Sequence, residues 1–267
     1  MLQSPCFVIS DTHLGVAPRR VEMAVLDFLH ALQGQAGSLV INGDLFDFWF
    51  EWRTVIPRHG FRVLAALADL RETGVPILWL AGNHDGWGGA VLRDDVGAEY
   101  QTGAWHGQLA GWRARVEHGD GLRPKADRPY RVLRSVIRHP LSIGLFRWLH
   151  PDLGTRLAMG SSTASRAHTH SHGGHAGEGS ELRDIAMRRL ARQRELDLLI
   201  YGHSHVASLE RAPTGGVYAN AGSWLDAPTY LIVSRDRIEL CRWNGSAEGE
   251  CLDSLDRRAE LTEKALP

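Results

Sequence analysis

The stretch SLVINGDLFDFWF, residues 38–50, places a short run of uncharged residues directly before Gly43 and Asp44. An apolar run as short as Leu39–Asn42 is typical of a strand that is buried on both faces. Asp44 then stands at the carboxyl end of that strand, where open α/β sheets place their functional sites. The stretch therefore predicts a buried strand that delivers a carboxylate to a site.

The same arrangement recurs four more times along the chain. The other predicted strands are Cys6–Ser10, Ile77–Ala81, Arg115–Glu117 and Leu198–Tyr201, and the polar residues that follow them are Asp11 with His13, Asn83 with His84 and Asp85, His118, and His203 with His205. A single Asp after a strand is usually a turn residue. Five strand ends that all carry carboxylate, amide or imidazole groups indicate one shared site.

Helical periodicity separates several of these strands. Val21–Gln33 and Phe61–Leu70 each space their apolar residues along one broad stripe. Alternation of strands and amphipathic helices predicts an α/β fold. After Val217 the segments VYANAG, TYLIVS and RIELCRW follow without long helices, which predicts an antiparallel second sheet or edge.

Composition bounds the class of protein. The 267 residues suit one large domain, or one domain with a sizeable insertion, and a formal net charge of -1 gives no field that would attract nucleic acid. Three cysteines are too few and too scattered for a disulfide framework or a cysteine zinc site. We see no signal-peptide pattern and no apolar run long enough to span a bilayer, so we expect a cytoplasmic protein.

The residue types at the strand ends suit two divalent cations held side by side. Asp11 with His13, and His203 with His205, are pairs at period two, so each pair faces one side. Asp44 is the best candidate for a carboxylate that bridges two ions about 3.5–4 Å apart. Mixed imidazole and carboxylate ligands favour Mn²⁺, with Fe and Zn as alternatives.

Five segments resemble, in order and spacing, the motifs of the calcineurin-like metallophosphoesterases: SDTHLG (10–15), GDLFDFW (43–49), GNHD (82–85), EHGD (117–120) and YGHSH (201–205). The resemblance spans nearly the whole chain and implies a four-layer αββα sandwich with a dimetal site. It implies that one metal is held by Asp11, His13, Asp44 and His205, and the other by Asp44, Asn83, His118 and His203. It also implies that His84 contacts the phosphate or protonates the leaving group, and that Asp85 orients His84.

An insertion interrupts the sandwich, whose predicted parts are residues 1–122 and 180–245. Residues 123–167 combine many arginines with a heavy apolar load and predict a helical lid, although an ordinary core-facing stripe is the alternative. A lid with an apolar interior and a basic rim suits an acylated anionic substrate and contact with a membrane surface. Residues 246–267 are predicted to be a C-terminal tail.

Residues 168–179 are rich in histidine and glycine and predict a flexible loop. The histidines are His168, His170, His172 and His175. Metal sites need ligands on rigid elements that neighbouring groups orient, which this segment lacks. We therefore place the metal centre at the strand ends instead.

Within the family, the chain resembles the UDP-2,3-diacylglucosamine hydrolases of lipid A synthesis in GDLFDFWFEW, HGDGL and HPDLGTRLA. The resemblance implies hydrolysis of the pyrophosphate of that nucleotide-linked acylated sugar, giving UMP and 2,3-diacylglucosamine 1-phosphate (lipid X). It also makes Asp127, Tyr130, Ser165 and Arg166 candidates for substrate contacts. The composition of the lid suits peripheral contact with the inner membrane.

Two other functions stay open at this stage. The best-known hydrolases of that group carry Arg where this chain has His84, and His is the broader phosphoesterase pattern. A general phosphodiesterase or phosphomonoesterase acting on a soluble ester is therefore an alternative. A non-catalytic scaffold on the same fold is another, although every expected ligand is present. The sequence does not indicate an oligomeric state.

Overall fold

The computed structural model describes residues 1–160 and 174–257. The strands of the described residues are β1 (Cys6–Ile9), β2 (Ser38–Asn42), β3 (Ile77–Leu80), β4 (Glu99–Gln101), β5 (Trp105–Leu109), β6 (Trp112–Val116), β7 (Leu198–Tyr201), β8 (Ser208–Arg211), β9 (Val217–Asn220), β10 (Thr229–Val233), β11 (Arg237–Arg242) and β12 (Glu250–Asp256). The helices are α1 (Arg19–Ala31), α2 (Phe61–Glu72), α3 (Arg128–Ile137), α4 (Pro140–Phe146), α5 (residues 151–160) and α6 (Gly174–Arg192). A 3₁₀ turn at Arg58–Gly60 and a π-helical turn at Val91–Asp95 complete the helical elements.

Two mixed sheets form the centre of the fold. The first has the order β12-β11-β10-β1-β2-β3-β4 and the second the order β5-β6-β7-β9-β8. Strands β1 to β4 are parallel, and β10 pairs antiparallel with β1. Of the two arrangements expected after Val217, β10 and β11 form the antiparallel edge, which extends the first sheet. The antiparallel expectation is wrong for β9, which runs parallel to β7 in the second sheet. Apolar patterning shows that a segment is a strand, but it does not identify the partner strand.

Alternate residues of the buried strands face different layers. In β1, Val8 packs into the core between the two sheets, whereas Phe7 packs outward against Phe28 of α1. On the far side, Tyr201 of β7 packs against Leu182 of α6. The layers are thus helix, sheet, sheet and helix, which confirms the predicted αββα sandwich.

Two predicted boundaries need correction. The flexible loop predicted for residues 168–179 overlaps α6, which begins at Gly174. In this overlap Glu178 and Gly179 are buried. A Cβ on Gly179 would lie 2.9 Å from the Val206 side chain, so the glycine allows this helix to pack closely against Val206. Part of the predicted tail is the edge strand β12, whose backbone pairs with β11. The predicted residues Ser165, Arg166, His168, His170 and His172 lie outside the described residues.

The insertion contacts the core through a small aromatic cluster. This aromatic cluster is formed by Phe48, Phe50, Trp52, Trp87 and Phe146. Phe146 lies 4.8 Å from Phe50 between ring centroids and stacks on Trp87. One aromatic side chain of the lid is therefore built into the core.

Most other large apolar side chains of the lid face outward. The exposed residues, which we call the outer lid face, are Val132, Leu133, Val136, Leu141, Leu145, Trp148, Leu153 and Leu157. Trp148 is 89% exposed, so the stripe is not an ordinary core-facing one. Within the described ranges, no helix combines the length and apolar character needed to cross a bilayer.

Candidate metal centre

The predicted ligands meet where the carboxyl ends of strands from both sheets converge. Strands β1, β2 and β3 of the first sheet and β6 and β7 of the second each end at one of them. Potential ligating atoms form three groups, and within each group the atoms lie within 4.8 Å of one another. The groups are Asp11 with His13 and His205, His13 with Asp44 and His84, and Asp44 with His118 and His203. The two sheets together therefore build one compact centre.

Unfavourable backbone conformations concentrate at this centre. The described residues include six non-glycine residues with positive φ, and five of them, with φ between 48° and 67°, are Asp11, His13, Asp44, His203 and His205. A left-handed conformation costs an L-residue about 1–2 kcal/mol. Such residues persist where the surrounding structure holds them for a function, and their concentration here supports assignment of this centre as the functional site.

The first half of the centre surrounds one oxygen of Asp11. Its Oδ1 lies 3.5 Å from Nε2 of His205 and 3.9 Å from Nε2 of His13, and it accepts no hydrogen bond of good geometry although it is buried. The two imidazole Nε2 atoms lie 3.1 Å apart. The other oxygen of Asp11, Oδ2, accepts a hydrogen bond from the backbone N–H of His203 at 3.0 Å. A cation between these groups would satisfy the orphaned oxygen and both nitrogens.

The second half is built around His118. Its Nδ1 donates to the carbonyl oxygen of Asn42 at 2.7 Å, so Nε2 is the basic nitrogen. That Nε2 lies 3.2 Å from Oδ2 of Asp44 and 3.3 Å from Oδ1 of Asn83. Asp44 Oδ2 is also 4.0 Å from Nε2 of His13, so this carboxylate stands between the two halves. Its position fits the predicted bridging role.

Two glycines make this close approach possible. A Cβ on Gly43, whose φ is +82°, would collide with the ring of His118. A Cβ on Gly82 would collide with the carboxylate of Asp44. Gly82 therefore leaves space for the Asp44 carboxylate, and Gly43 leaves space for the His118 ring. From the sequence alone, Gly43 would be expected to serve Asp44, because the two residues are adjacent.

The charges of the centre suit cations. Burial raises the pKa of Asp44, but the nearby imidazoles of His118, His84 and His13 lower this pKa by more. The pKa of Asp44 therefore lies well below its usual range. Burial likewise opposes ionisation of Asp11, yet His118 helps to lower its pKa to about 2. Both carboxylates are therefore ionised at neutral pH. Imidazole nitrogens with carboxylate and amide oxygens are a donor set that fits two divalent cations.

The ring of His84 is held by Asp47 rather than by Asp85. Its Nδ1 donates to the carbonyl oxygen of Asp47 at 2.9 Å, and the Asp47 carboxylate lies 3.6 Å away. The Asp85 carboxylate instead accepts from the backbone N–H groups of Leu45 and Gly82 and from Nε1 of Trp79. The expected role of Asp85 is corrected: it fixes the loops that follow β2 and β3.

We expect Asp85→Ala to lower the free energy of unfolding by about 3 kcal/mol or more, because three buried donors lose their acceptor. Burial raises the pKa of Asp85 to about 6, so at neutral pH the wild-type carboxyl is an ionised acceptor. Urea unfolding of the metal-free protein measures the change. Asp69→Ala, at an exposed position of α2, is the matched control. Equal unfolding midpoints for the two variants would contradict the role of Asp85.

Two residues of α6 contact the centre: Glu178, which was missed from the sequence, and His175, which the sequence assigned to a flexible loop away from the metals. His175 stacks on His205 with ring centroids 4.3 Å apart, and Oε1 of Glu178 lies 3.4 Å from Nε2 of His203. Their spacing of three residues would have indicated a shared helix face if the helix had been expected to begin before residue 175. Arg138, between α3 and α4, was also missed, and it donates to the carbonyl oxygen of Gly82 at 2.9 Å.

The predicted substrate contacts within the described residues lie at the base of the lid. The Tyr130 hydroxyl donates to Oδ2 of Asp120 at 2.6 Å. The Asp127 carboxylate accepts from the backbone N–H of Arg123 and pairs with its guanidinium. These bonds attach α3 to the segment after β6. Contact of Asp127 and Tyr130 with substrate remains a prediction.

Comparison with known proteins gave consistent matches. The family model described as Calcineurin-like phosphoesterase matches residues 4–207. A UDP-2,3-diacylglucosamine hydrolase of Porphyromonas gingivalis is 32% identical over 221 residues, covering 77% of this chain and 84% of the relative. One from Pseudomonas fluorescens is 29% identical over 243 residues, covering 89% and 94%. Among solved structures, a dimetal phosphatase from Danio rerio aligns over 96% of this chain and 100% of that chain, with 12% identity and a TM-score of 0.47.

Proposed function

Because the chain belongs to the calcineurin-like phosphoesterase family, a family of metal-dependent hydrolases, we propose that it hydrolyses the pyrophosphate of UDP-2,3-diacylglucosamine, releasing UMP and lipid X. The observation that carries the reaction class is the position of Asp44, whose carboxylate groups with His13 and His84 on one side and with His118 and His203 on the other. The substrate is supported by two relatives that bear this activity in their names. It is also supported by the outer lid face, which offers apolar surface for acyl chains.

We assign the metal ligands as expected from the motifs. Asp11, His13, Asp44 and His205 hold one ion, and Asp44, Asn83, His118 and His203 hold the other. Two divalent cations, with Mn²⁺ our first choice over Fe and Zn, polarise the phosphoryl oxygens and activate water when bound. Asp44 lies between the two halves of the centre, and the ionised carboxylates of Asp11 and Asp44 supply negative charge for the cations.

His84 serves as the group that faces the leaving oxygen. Its backbone N–H donates to Oδ1 of Asp44, and its ring is held through Nδ1 by Asp47. A neutral ring that donates from Nδ1 has Nε2 as its basic nitrogen. A histidine held in this way can hydrogen bond to the phosphate or carry a proton to the leaving group.

We place the enzyme in the cytoplasm, at the surface of the inner membrane. The outer lid face is apolar, and the exposed Arg128 lies on the same helix as part of it. Basic amphipathic helices bind anionic lipid surfaces by burying the apolar side and pairing the cations with headgroups. The acylated substrate would be met at that surface.

One assay tests the activity. With Mn²⁺ supplied, we expect the protein to release UMP from UDP-2,3-diacylglucosamine in detergent micelles. Robust turnover of bis-p-nitrophenyl phosphate without UMP release would instead support a general phosphoesterase, which the histidine at position 84 favours. No turnover of either compound by protein with full metal occupancy would identify a non-catalytic scaffold.

A further inference from the structure

Glu178 of α6 is a buried carboxylate that lies against a metal ligand. Only 7% of its side chain is exposed, and its Oε1 lies 3.4 Å from Nε2 of His203. It stands outside all five motifs and comes from the segment whose composition predicts a loop. Burial of a carboxylate is costly unless the charge is paired, so its position needs an explanation.

A guanidinium fixes the same carboxylate from the other side. Nη2 of Arg123 lies 2.7 Å from Oε1 of Glu178 and 2.7 Å from Oδ1 of Asp127. Asp127 directly precedes α3, the first helix of the lid. Glu178 is therefore held in place by Arg123, and the base of the lid is joined to His203 through this pair.

An imidazole that binds a metal through one nitrogen commonly donates its other N–H to a carboxylate, which sets the tautomer and the ring orientation. Glu178 meets His203 at Nε2, and that contact makes Nδ1 the basic nitrogen of the ring. The ligating atoms of His203, Asp44 and His118 lie within 4.8 Å of one another.

Given the ligand set of the proposed function, on which this assignment rests, we propose that Glu178 is a positioning residue for His203. Its carboxylate accepts a hydrogen bond from the Nε2–H of His203, which directs Nδ1 of that ring to the metal. Arg123 in turn anchors Glu178. The network gives the N-terminal turn of α6 a role in metal affinity, although no residue of that turn belongs to a family motif.

Nitrogen NMR of the wild-type protein tests the tautomer directly. In ¹⁵N-labelled protein loaded with Zn²⁺, which is diamagnetic, two-bond ¹H–¹⁵N correlations distinguish a metal-bound nitrogen from a protonated one. We expect His203 to show a metal-bound Nδ1 and a protonated Nε2. A metal-bound Nε2 would overturn the proposal, and this readout does not depend on a variant that folds.

Calorimetric titration of Zn²⁺ into metal-free protein tests the energetic role. We expect Glu178→Gln to weaken binding of one Zn²⁺ equivalent by about 10- to 100-fold, with Glu178→Asp closer to wild type. Glu181→Gln is the matched control, because Glu181 lies one turn further along α6, approaches Arg123 at 3.8 Å and is 60% exposed. It should change affinity by no more than about twofold.

The outcomes separate this assignment from the proposed function. If wild-type protein binds no Zn²⁺, the ligand set itself fails, and the role of Glu178 fails with it. If wild type binds two equivalents and Glu178→Gln binds them equally well, only the positioning role is overturned.

Discussion

Asp44→Asn is expected to lower kcat/KM for bis-p-nitrophenyl phosphate with Mn²⁺ by at least about 10³-fold, because the carboxylate shared by both ligand groups becomes a neutral amide. Asp44 Oδ2 lies 3.2 Å from Nε2 of His118 and 4.0 Å from Nε2 of His13, so one substitution affects both halves of the centre. Its Oδ1 also accepts from the backbone N–H of His84, so the placement of that histidine changes too. Steady-state kinetics and metal content by mass spectrometry measure the loss.

The matched control is Asp94→Asn, which removes the same charge from an exposed position. It should keep activity within about twofold of wild type and bind two equivalents of Mn²⁺. If Asp44→Asn kept both metals and more than a tenth of the activity, a bridging role for Asp44 would be wrong.

The second large effect concerns the outer lid face. We expect the combined change Leu141→Ser, Leu145→Ser and Trp148→Ser to lower turnover of UDP-2,3-diacylglucosamine in liposomes by about 10²-fold. These side chains are 72%, 74% and 89% exposed, so their loss removes little buried area from the folded protein. Each would contribute about 1.5–3 kcal/mol if acyl chains or lipid covered it fully, so the three together would contribute about 4.5–9 kcal/mol. A 10²-fold loss corresponds to about 2.7 kcal/mol, which partial coverage of the three side chains is enough to supply.

Turnover of bis-p-nitrophenyl phosphate should stay within about twofold in the same variant, since the metal centre does not include these side chains. Met23→Ser with Phe61→Ser, at exposed apolar positions of α1 and α2, is the control for a general loss of apolar surface. Equal losses on both substrates would show that the outer lid face serves the fold and not the lipid. Liposome flotation distinguishes weaker membrane binding from weaker binding of free substrate.

Much of the architecture follows from local pattern. Apolar runs such as Ile77–Leu80 and Leu198–Tyr201 are long enough, and uncharged enough, for their sequence alone to identify them as buried strands. The short edge strands β4, β5 and β8 were not predicted. Their residues are partly exposed and polar, so they lack the continuous apolar signal.

The lid shows the limit of the same reasoning. Phe146 and Trp148 belong to one apolar helical region in the sequence, and nothing local separates their roles. In the structure Phe146 packs into the aromatic cluster, whereas Trp148 is 89% exposed. Only Trp148 and its exposed neighbours can therefore test lipid contact without disturbing the core.

The sequence by itself determined the reaction class and predicted the ligand set, because strand-end residues such as Asp11, Asp44 and His203 lie within short motifs whose order along the chain is itself the signal. Tertiary structure alone decided that the ends of two different sheets meet, that Asp85 holds backbone loops, and that Glu178 reaches His203. Those contacts join residues far apart in sequence, such as Asp11 and His203. They depend on how layers pack, and local propensity carries no information about which distant segments will be neighbours.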